Sequence, residues 1–200
     1  MSWSVDSIPS QKGRIILITG ANSGLGFDTA KVLLEKGGTI ILGCRSIKKA
    51  ELARQMLLKK TDQGQIELLE IDLSDLKKVN KAADQITTKY KRLDILINNA
   101  GVMAPPYTTS EQELEIQFAV NHLSHMALSL KLLPLLAEQR NARVVTVSSG
   151  AQYFARINWD DLLGVENYNR WDSYSQSKLA NVMFALELDN QLRRANVNVA

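Results

Sequence analysis

Short apolar runs alternate with amphipathic stretches along the whole chain. Residues 14–19, 39–44, 66–71, 93–98 and 143–148 are apolar almost throughout, which predicts strands buried on both faces. Between them, residues 25–36, 46–60 and 75–90 carry apolar positions at helical spacing. In the first of these, Ala30, Leu33 and Leu34 share one side and Gly37-Gly38 ends the helix; in the second, Ser46 is an N-cap candidate. Residues 110–138 predict a long helix with a candidate break at Pro134, and residues 173–194 predict another. Strands alternating with helices imply an α/β fold with a parallel sheet covered on both sides. Right-handed crossovers make it a doubly wound, three-layer αβα sheet of strand order 3-2-1-4-5. Val197 and Val199 alternate at the end and read as the opening of a sixth strand, with a short polar tail as the alternative.

The 200 residues suit one domain, and 45% hydrophobic content is globular in character. A net charge of +3 is spread thinly, in short pairs such as Lys48-Lys49 and Lys59-Lys60. No basic stripe points to nucleic acid. No apolar run is long enough for a membrane span, and the polar start of the chain lacks the apolar core of a secretory signal. Trp3 is expected to pack back on the body. Cys44 is the sole cysteine, which rules out an internal disulfide and favours a thiol-tolerant, cytoplasmic setting. It reads as a packed strand residue. His122 and His125 could share a helix face, yet no acid completes a ligand set. Metal is not expected, and packing or surface placement is the default for both.

Chemistry enters at two places. The first strand runs into Thr19-Gly-Ala-Asn-Ser-Gly-Leu-Gly26. Glycines there permit positive φ and close backbone approach, and the following helix start offers free N–H groups to a pyrophosphate. Gly20, Asn22, Ser23, Gly24, Leu25 and Gly26 are therefore candidate cofactor contacts. The second strand ends at Cys44-Arg45 without an acid. A carboxylate would pair with a ribose hydroxyl and repel a 2′-phosphate, whereas Arg45 would bind that phosphate, so NADP(H) is favoured over NAD(H). Asp72, beside Leu73, suits either an adenine amino group or a helix cap. Asn99, Ala100 and Gly101 follow the fourth strand, where small residues and amides fit against a ribose or satisfy a turn.

The second place is the pair Tyr174 and Lys178, four residues apart on one helix face. An ammonium beside a phenol favours the phenolate, giving a proton donor and acceptor usable near neutral pH. Ser148 and Ser149 end the fifth strand and point in opposite directions, and one of these hydroxyls can face a ligand beyond the strand ends. Asn121 interrupts an apolar helical run and so needs a partner.

The glycine turn, Asp72, 98–101, Asn121, Ser149 and Tyr174/Lys178 occur in an order that resembles the short-chain dehydrogenase/reductase family. The strings around Gly24, Arg45, His122 and Lys178 resemble its retinol-dehydrogenase-like, WW-domain-oxidoreductase and protochlorophyllide-reductase branch. The resemblance implies a Rossmann-like fold and the interconversion of an alcohol and a carbonyl. Tyr174 would pass the proton, Lys178 would tune it and bind the nicotinamide ribose, Ser149 would hold the substrate oxygen, and Asn121 would anchor a water. It also implies a small, apolar substrate, a pairing of the 110–138 and 173–194 helices in a homodimer or else a monomer, and C-terminal strands and a substrate lobe beyond residue 200. Ser149 and Tyr174 lie 25 positions apart, longer than is usual in the family. Tyr153, Phe154, Trp159, Tyr168 and Trp171 in that interval either form an aromatic lid or pin the insertion to the body. A non-catalytic NADP(H)-binding module and an epimerase or dehydratase remain as other readings.

Overall fold

The computed structural model describes residues 4–200, so Trp3 lies outside the described residues. Five strands, β1 (Ile15–Thr19), β2 (Thr39–Cys44), β3 (Gln65–Glu70), β4 (Ile95–Asn98) and β5 (Arg143–Thr146), pair in the order β3-β2-β1-β4-β5. Every pairing is parallel. The helices are α1 (Gly24–Glu35), α2 (Ile47–Leu58), α3 (Leu76–Lys89), α4 (Ile116–Phe118), α5 (Ser124–Ala137) and α6 (Arg170–Arg194).

Strand alternation divides the interior into two layers. Ile16, Ile18, Ile40 and Leu42 face one way and pack with Ala30, Leu34, Ala53 and Leu57 of α1 and α2. Leu17, Ile41 and Leu96 face the other way and pack with Val79, Ile86, Leu128, Leu132 and Leu136 of α3 and α5. Both faces of β1 are thereby sealed, which is why its sequence shows no polar alternation. Beyond β5, the N–H of Ala200 donates to the Ala142 carbonyl at 2.9 Å and the Val144 N–H donates to the Ala200 carbonyl at 2.8 Å. A parallel bridge joins Ala142 to Val199. The expected sixth strand is present only as this bridge: Val199 and Ala200 pair next to β5, while the Val197 N–H turns back to the Leu192 carbonyl at 2.9 Å.

The expected helix over residues 110–138 is shorter and differently interrupted. Regular helix begins only at Ile116, and residues Ala119–Leu123 form a π turn. There the Ser124 N–H reaches the Ala119 carbonyl, five residues back. Pro134 lies inside unbroken α5. Pro134 and Leu130 lie on the exposed side of that helix, where water can take up the carbonyl freed by the missing N–H. The last helix starts at Arg170, because Asn169 accepts from the N–H groups of Trp171 (2.9 Å) and Asp172 (3.3 Å).

In the aromatic insertion the pinning expectation holds at Tyr168. Tyr168 is a pin: its hydroxyl donates to the Pro105 carbonyl at 2.8 Å, and its ring meets Tyr107 edge-on at 5.1 Å. Fully buried Gln117 ties both segments together. Its amide nitrogen donates to the Tyr168 hydroxyl (3.1 Å) and the Arg170 carbonyl (2.9 Å), and its amide oxygen accepts from the Ala104 N–H at 2.7 Å. Tyr153 and Phe154, by contrast, stand 82% and 90% exposed among the described residues.

Replacing Gln117 by Leu removes the buried partner of the Ala104 N–H and the Arg170 carbonyl. Urea denaturation of Gln117→Leu should show a loss of about 1–3 kcal/mol, with faster proteolytic cleavage within residues 155–169. An unchanged urea midpoint would show that this amide is not what fastens the insertion.

Candidate active site

The glycine turn is built for backbone contact. Gly20 has φ +68, and a Cβ there would stand 3.0 Å from Ala100 Cα. At Gly26 a Cβ would fall 2.5 Å from the Asn99 amide nitrogen and 2.6 Å from the Gly20 carbonyl oxygen. Only glycine lets β1, α1 and the end of β4 close to this distance. Ser23 sits at the N-cap of α1 in extended conformation, and its side chain makes no capping bond. The first N–H groups of α1 therefore have no side-chain cap, and the positive end of the helix dipole faces outward. One groove there is lined by Gly20, Asn22, Ser23, Leu25, Gly26 and Asn99 to Gly101.

An adjoining cleft runs from Gly20 and Asn22 past Arg45 to Asp72 and Leu73, with Ala100 and Gly101 as its floor. The end of β2 thus brings an exposed guanidinium to the same cleft as the glycine turn. Asp72 does not cap α3, since Asp75 does that by accepting from the Lys77 N–H at 2.9 Å. Instead Asp72 accepts from the Ser74 N–H (3.0 Å) and hydroxyl (2.6 Å) and lies 3.5 Å from the Lys78 ammonium. Burial disfavours its charge, yet these bonds outweigh that and hold its carboxyl below the usual range. Cys44 lies in the core beneath the turn. Burial pushes its thiol up to about 11 despite backbone N–H groups of Ala21 and Asn22 nearby, which fits the packed residue expected from the sequence.

Thr19 closes β1 and acts as a hub that sequence reasoning missed. Its hydroxyl oxygen accepts from the Asn99 and Ala100 N–H groups, both at 3.0 Å. Its backbone carbonyl accepts from the Asn99 amide at 2.9 Å. His125 Nε2 lies 2.8 Å from the same hydroxyl. His125 is neither a surface residue nor simple packing: it is 1% exposed and hydrogen-bonded at both nitrogens. The polar residues set into the apolar run from Phe118 were the available signal. They identified Asn121 but equally marked His125.

Asn121, fully buried in the π turn, clamps Val102 from both sides. Its amide oxygen accepts the Val102 N–H at 2.8 Å, and its amide nitrogen donates to the Val102 carbonyl at 2.9 Å. The same nitrogen donates to Ser177 Oγ at 3.0 Å, and Ser177 in turn donates to the Tyr174 carbonyl at 2.7 Å. Lys178 is 4% exposed. Its Nζ donates to the Val147 carbonyl at 3.2 Å, its one protein acceptor among the described residues. Burial pulls its pKa down. The ammonium lies 5.7 Å from the centre of the half-buried Tyr174 ring and 3.5 Å from where a Gly101 Cβ would stand. Ser148 and Ser149 diverge after β5. Ser148 donates to the Lys178 carbonyl at 2.8 Å, while Ser149 caps the short turn after it through the Ala151 N–H at 3.3 Å. The structure thus brings Asn121 and Lys178 to Gly101, with the Tyr174 ring centre 5.7 Å from the Lys178 ammonium. Gly101 adjoins Ala100, and Ala100 packs on Gly20.

A doubly wound parallel sheet whose crevice joins a glycine turn to a Tyr/Lys helix defines a nucleotide-binding α/β class. The chain belongs to the short chain dehydrogenase family of oxidoreductases, whose family model matches residues 14–200. It is similar to retinol dehydrogenase 14 of Mus musculus, with 43% identity across 94% of this chain and 59% of that protein. Among solved structures, a protein from Mycobacterium paratuberculosis superposes with a TM-score of 0.89 at 42% identity, covering 100% of this chain and 70% of that one. The NADP active-site complex of Pseudomonas aeruginosa RhlG gives 0.73 at 25% identity, covering 95% and 69%. The chain spans about three fifths of the length of the curated relatives it matches. Among the described residues no helix is long and apolar enough to cross a membrane, and no group of three or more candidate ligands forms a metal site.

His125 also sets a pH dependence. Burial, reinforced by the Lys178 and His122 charges and opposed by the Asn121 carbonyl, lowers its pKa from 6.5 to about 4. Between those values the unfolded chain binds a proton that the native chain refuses, so stability falls as pH drops through that window. The ceiling for this loss is about 3 kcal/mol. Urea midpoints of the wild type should fall between pH 7 and pH 4.5 more steeply than those of His125→Gln. Parallel pH dependences in the two proteins would contradict the assignment.

Proposed function

We propose that the chain is an NADP(H)-dependent oxidoreductase that interconverts an apolar alcohol and its aldehyde or ketone. One observation carries this reading: the buried Lys178 ammonium stands 5.7 Å from the Tyr174 ring centre and next to Gly101, and Gly101 lines the same cleft as Gly20 and Asn22. The residues present fit a nicotinamide nucleotide. The uncapped start of α1 and the close-packed Gly20 and Gly26 suit its pyrophosphate, with Asn22, Ser23, Gly24 and Leu25 around it. Arg45 suits the 2′-phosphate. Asp72, Leu73, Asn99, Ala100 and Gly101 line the path between. When bound, the nicotinamide supplies or accepts the hydride.

The protein's part is the proton and the geometry. Tyr174 gives a proton to the carbonyl oxygen in reduction and takes it back in oxidation. Lys178 has three N–H donors and one protein acceptor, so two donors remain for ribose hydroxyls. Ser149 is free of the α6 contact that occupies Ser148 and is assigned to the substrate oxygen, where a hydroxyl stabilises developing negative charge. Asn121 fixes the Val102 backbone, and its π turn is the assigned anchor for a water leading from Lys178. The similarity to retinol dehydrogenase 14 supports an apolar, retinoid-like substrate.

Two variants test the reading, with retinal as probe and NADPH absorbance as the signal. Tyr174→Phe should lower turnover by at least about a hundredfold while shifting the NADPH Kd by less than about threefold. Turnover that survives the change would remove Tyr174 from the mechanism. Arg45→Glu should weaken NADPH by about ten- to a hundredfold and leave NADH nearly unchanged, as expected for loss of a charge-assisted bond. Equal losses for both nucleotides would defeat the phosphate assignment.

A further inference from the structure

His125 is a buried titratable group behind Thr19 that the proposed reaction leaves unused, and its bonding follows from counting hydrogens. The Thr19 hydroxyl has one hydrogen and two lone pairs. Both lone pairs face backbone N–H groups, those of Asn99 and Ala100. Its hydrogen then goes to His125 Nε2 at 2.8 Å, since the only other acceptor in reach among the described residues, the Ile97 carbonyl, is 3.5 Å away. Nε2 is therefore the bare nitrogen. The ring hydrogen sits on Nδ1 and donates to the Asn121 carbonyl at 3.0 Å.

We infer that His125 is a positioning residue that locks the cofactor-side end of β1 to the helix carrying Tyr174. The lock is a continuous path. It runs from Thr19 through the imidazole to the Asn121 carbonyl, then from the Asn121 amide to Ser177, and from Ser177 to the Tyr174 carbonyl. A branch from the Asn121 amide fixes Val102, next to Gly101. The Asn121 carbonyl lies in the π turn, where helical hydrogen bonding is out of phase, so a side-chain donor defines its direction. A neutral ring suits the task, because a proton on Nε2 would face the Thr19 hydrogen and break the path. Burial keeps the ring neutral. The inference rests on the proposed reading only in taking the cleft at Thr19 and Gly101 as the nucleotide site.

The test has two arms. In protein labelled with nitrogen-15 histidine, NMR at pH 7 should show His125 with a protonated, pyrrole-type Nδ1 and a bare, pyridine-type Nε2. The opposite tautomer would overturn the inference whether or not a nucleotide binds. In the second arm NADPH affinity is measured for His125→Asn, whose amide can replace Nδ1 as donor to Asn121, and for His125→Phe, which cannot donate. Circular dichroism confirms that both fold. The Phe variant should bind NADPH about tenfold more weakly, the worth of one buried hydrogen bond, and the Asn variant should recover most of that loss. Equal losses in the two variants, or none in either, would overturn the inference. Failure of the wild type to bind either NADPH or NADH would instead defeat the cofactor reading and leave the tautomer result to decide this one.

Discussion

A lysine ammonium buried to 4% exposure, with a single carbonyl as its protein partner, is the constraint on which the site depends. Taking such a charge out of water is costly, and among the described residues no carboxylate forms a salt bridge with it to offset the cost. The depressed pKa of Lys178 is the visible sign of that cost. A fold does not keep an under-bonded ammonium in its interior for packing alone, since a leucine would pack there more cheaply. On the proposed reading the missing partners are ribose hydroxyls. Tyr174 one turn earlier, Gly101 opposite and Asn121 behind it then each gain a reason for their place.

The sheet explains why these groups meet. β1 and β4 are neighbours although α1, β2, α2, β3 and α3 lie between them in sequence. The chain leaves β1 in one direction and returns to β4 from the other, so a crevice opens where their carboxyl ends diverge. Thr19 at the end of β1 and Asn99–Ala100 after β4 bridge this crevice at its base through short hydrogen bonds. Small residues at Gly20 and Ala100 let the bridge close. The Thr19 hydroxyl thus does for the cleft floor what ladder bonds do for the sheet below it.

The fold was readable because double burial leaves a strong trace. Runs such as 15–19 and 39–44 are apolar on both faces, and parallel order follows from their alternation with helices. The glycine turn and the Tyr174/Lys178 pair were readable because each is local. What escaped was non-local or broke helix periodicity. The π turn at Ala119–Leu123 has no compositional mark, and six residues expected to be helical before Ile116 are instead turns and a bridge to Thr109. Gln117 looks like an ordinary polar helix residue until Ala104, Tyr168 and Arg170 converge on it. By sequence His125 reads as a packed or surface ring, with a metal role disfavoured for want of an acid. Its role depends on Thr19, 106 positions away, and no spacing rule connects the two. Strand alternation says only that Ser148 and Ser149 point opposite ways; the choice of Ser149 rests on the family resemblance, and the bond from Ser148 to α6 supplies a physical reason for it.

A crystal structure of the chain with NADP⁺ tests the central claim most directly. The account predicts the pyrophosphate at the start of α1, Arg45 on the 2′-phosphate, and Lys178 Nζ within about 3 Å of the nicotinamide ribose hydroxyls. A nucleotide bound with its ribose away from Lys178, or lying outside the crevice between β1 and β4, would contradict it.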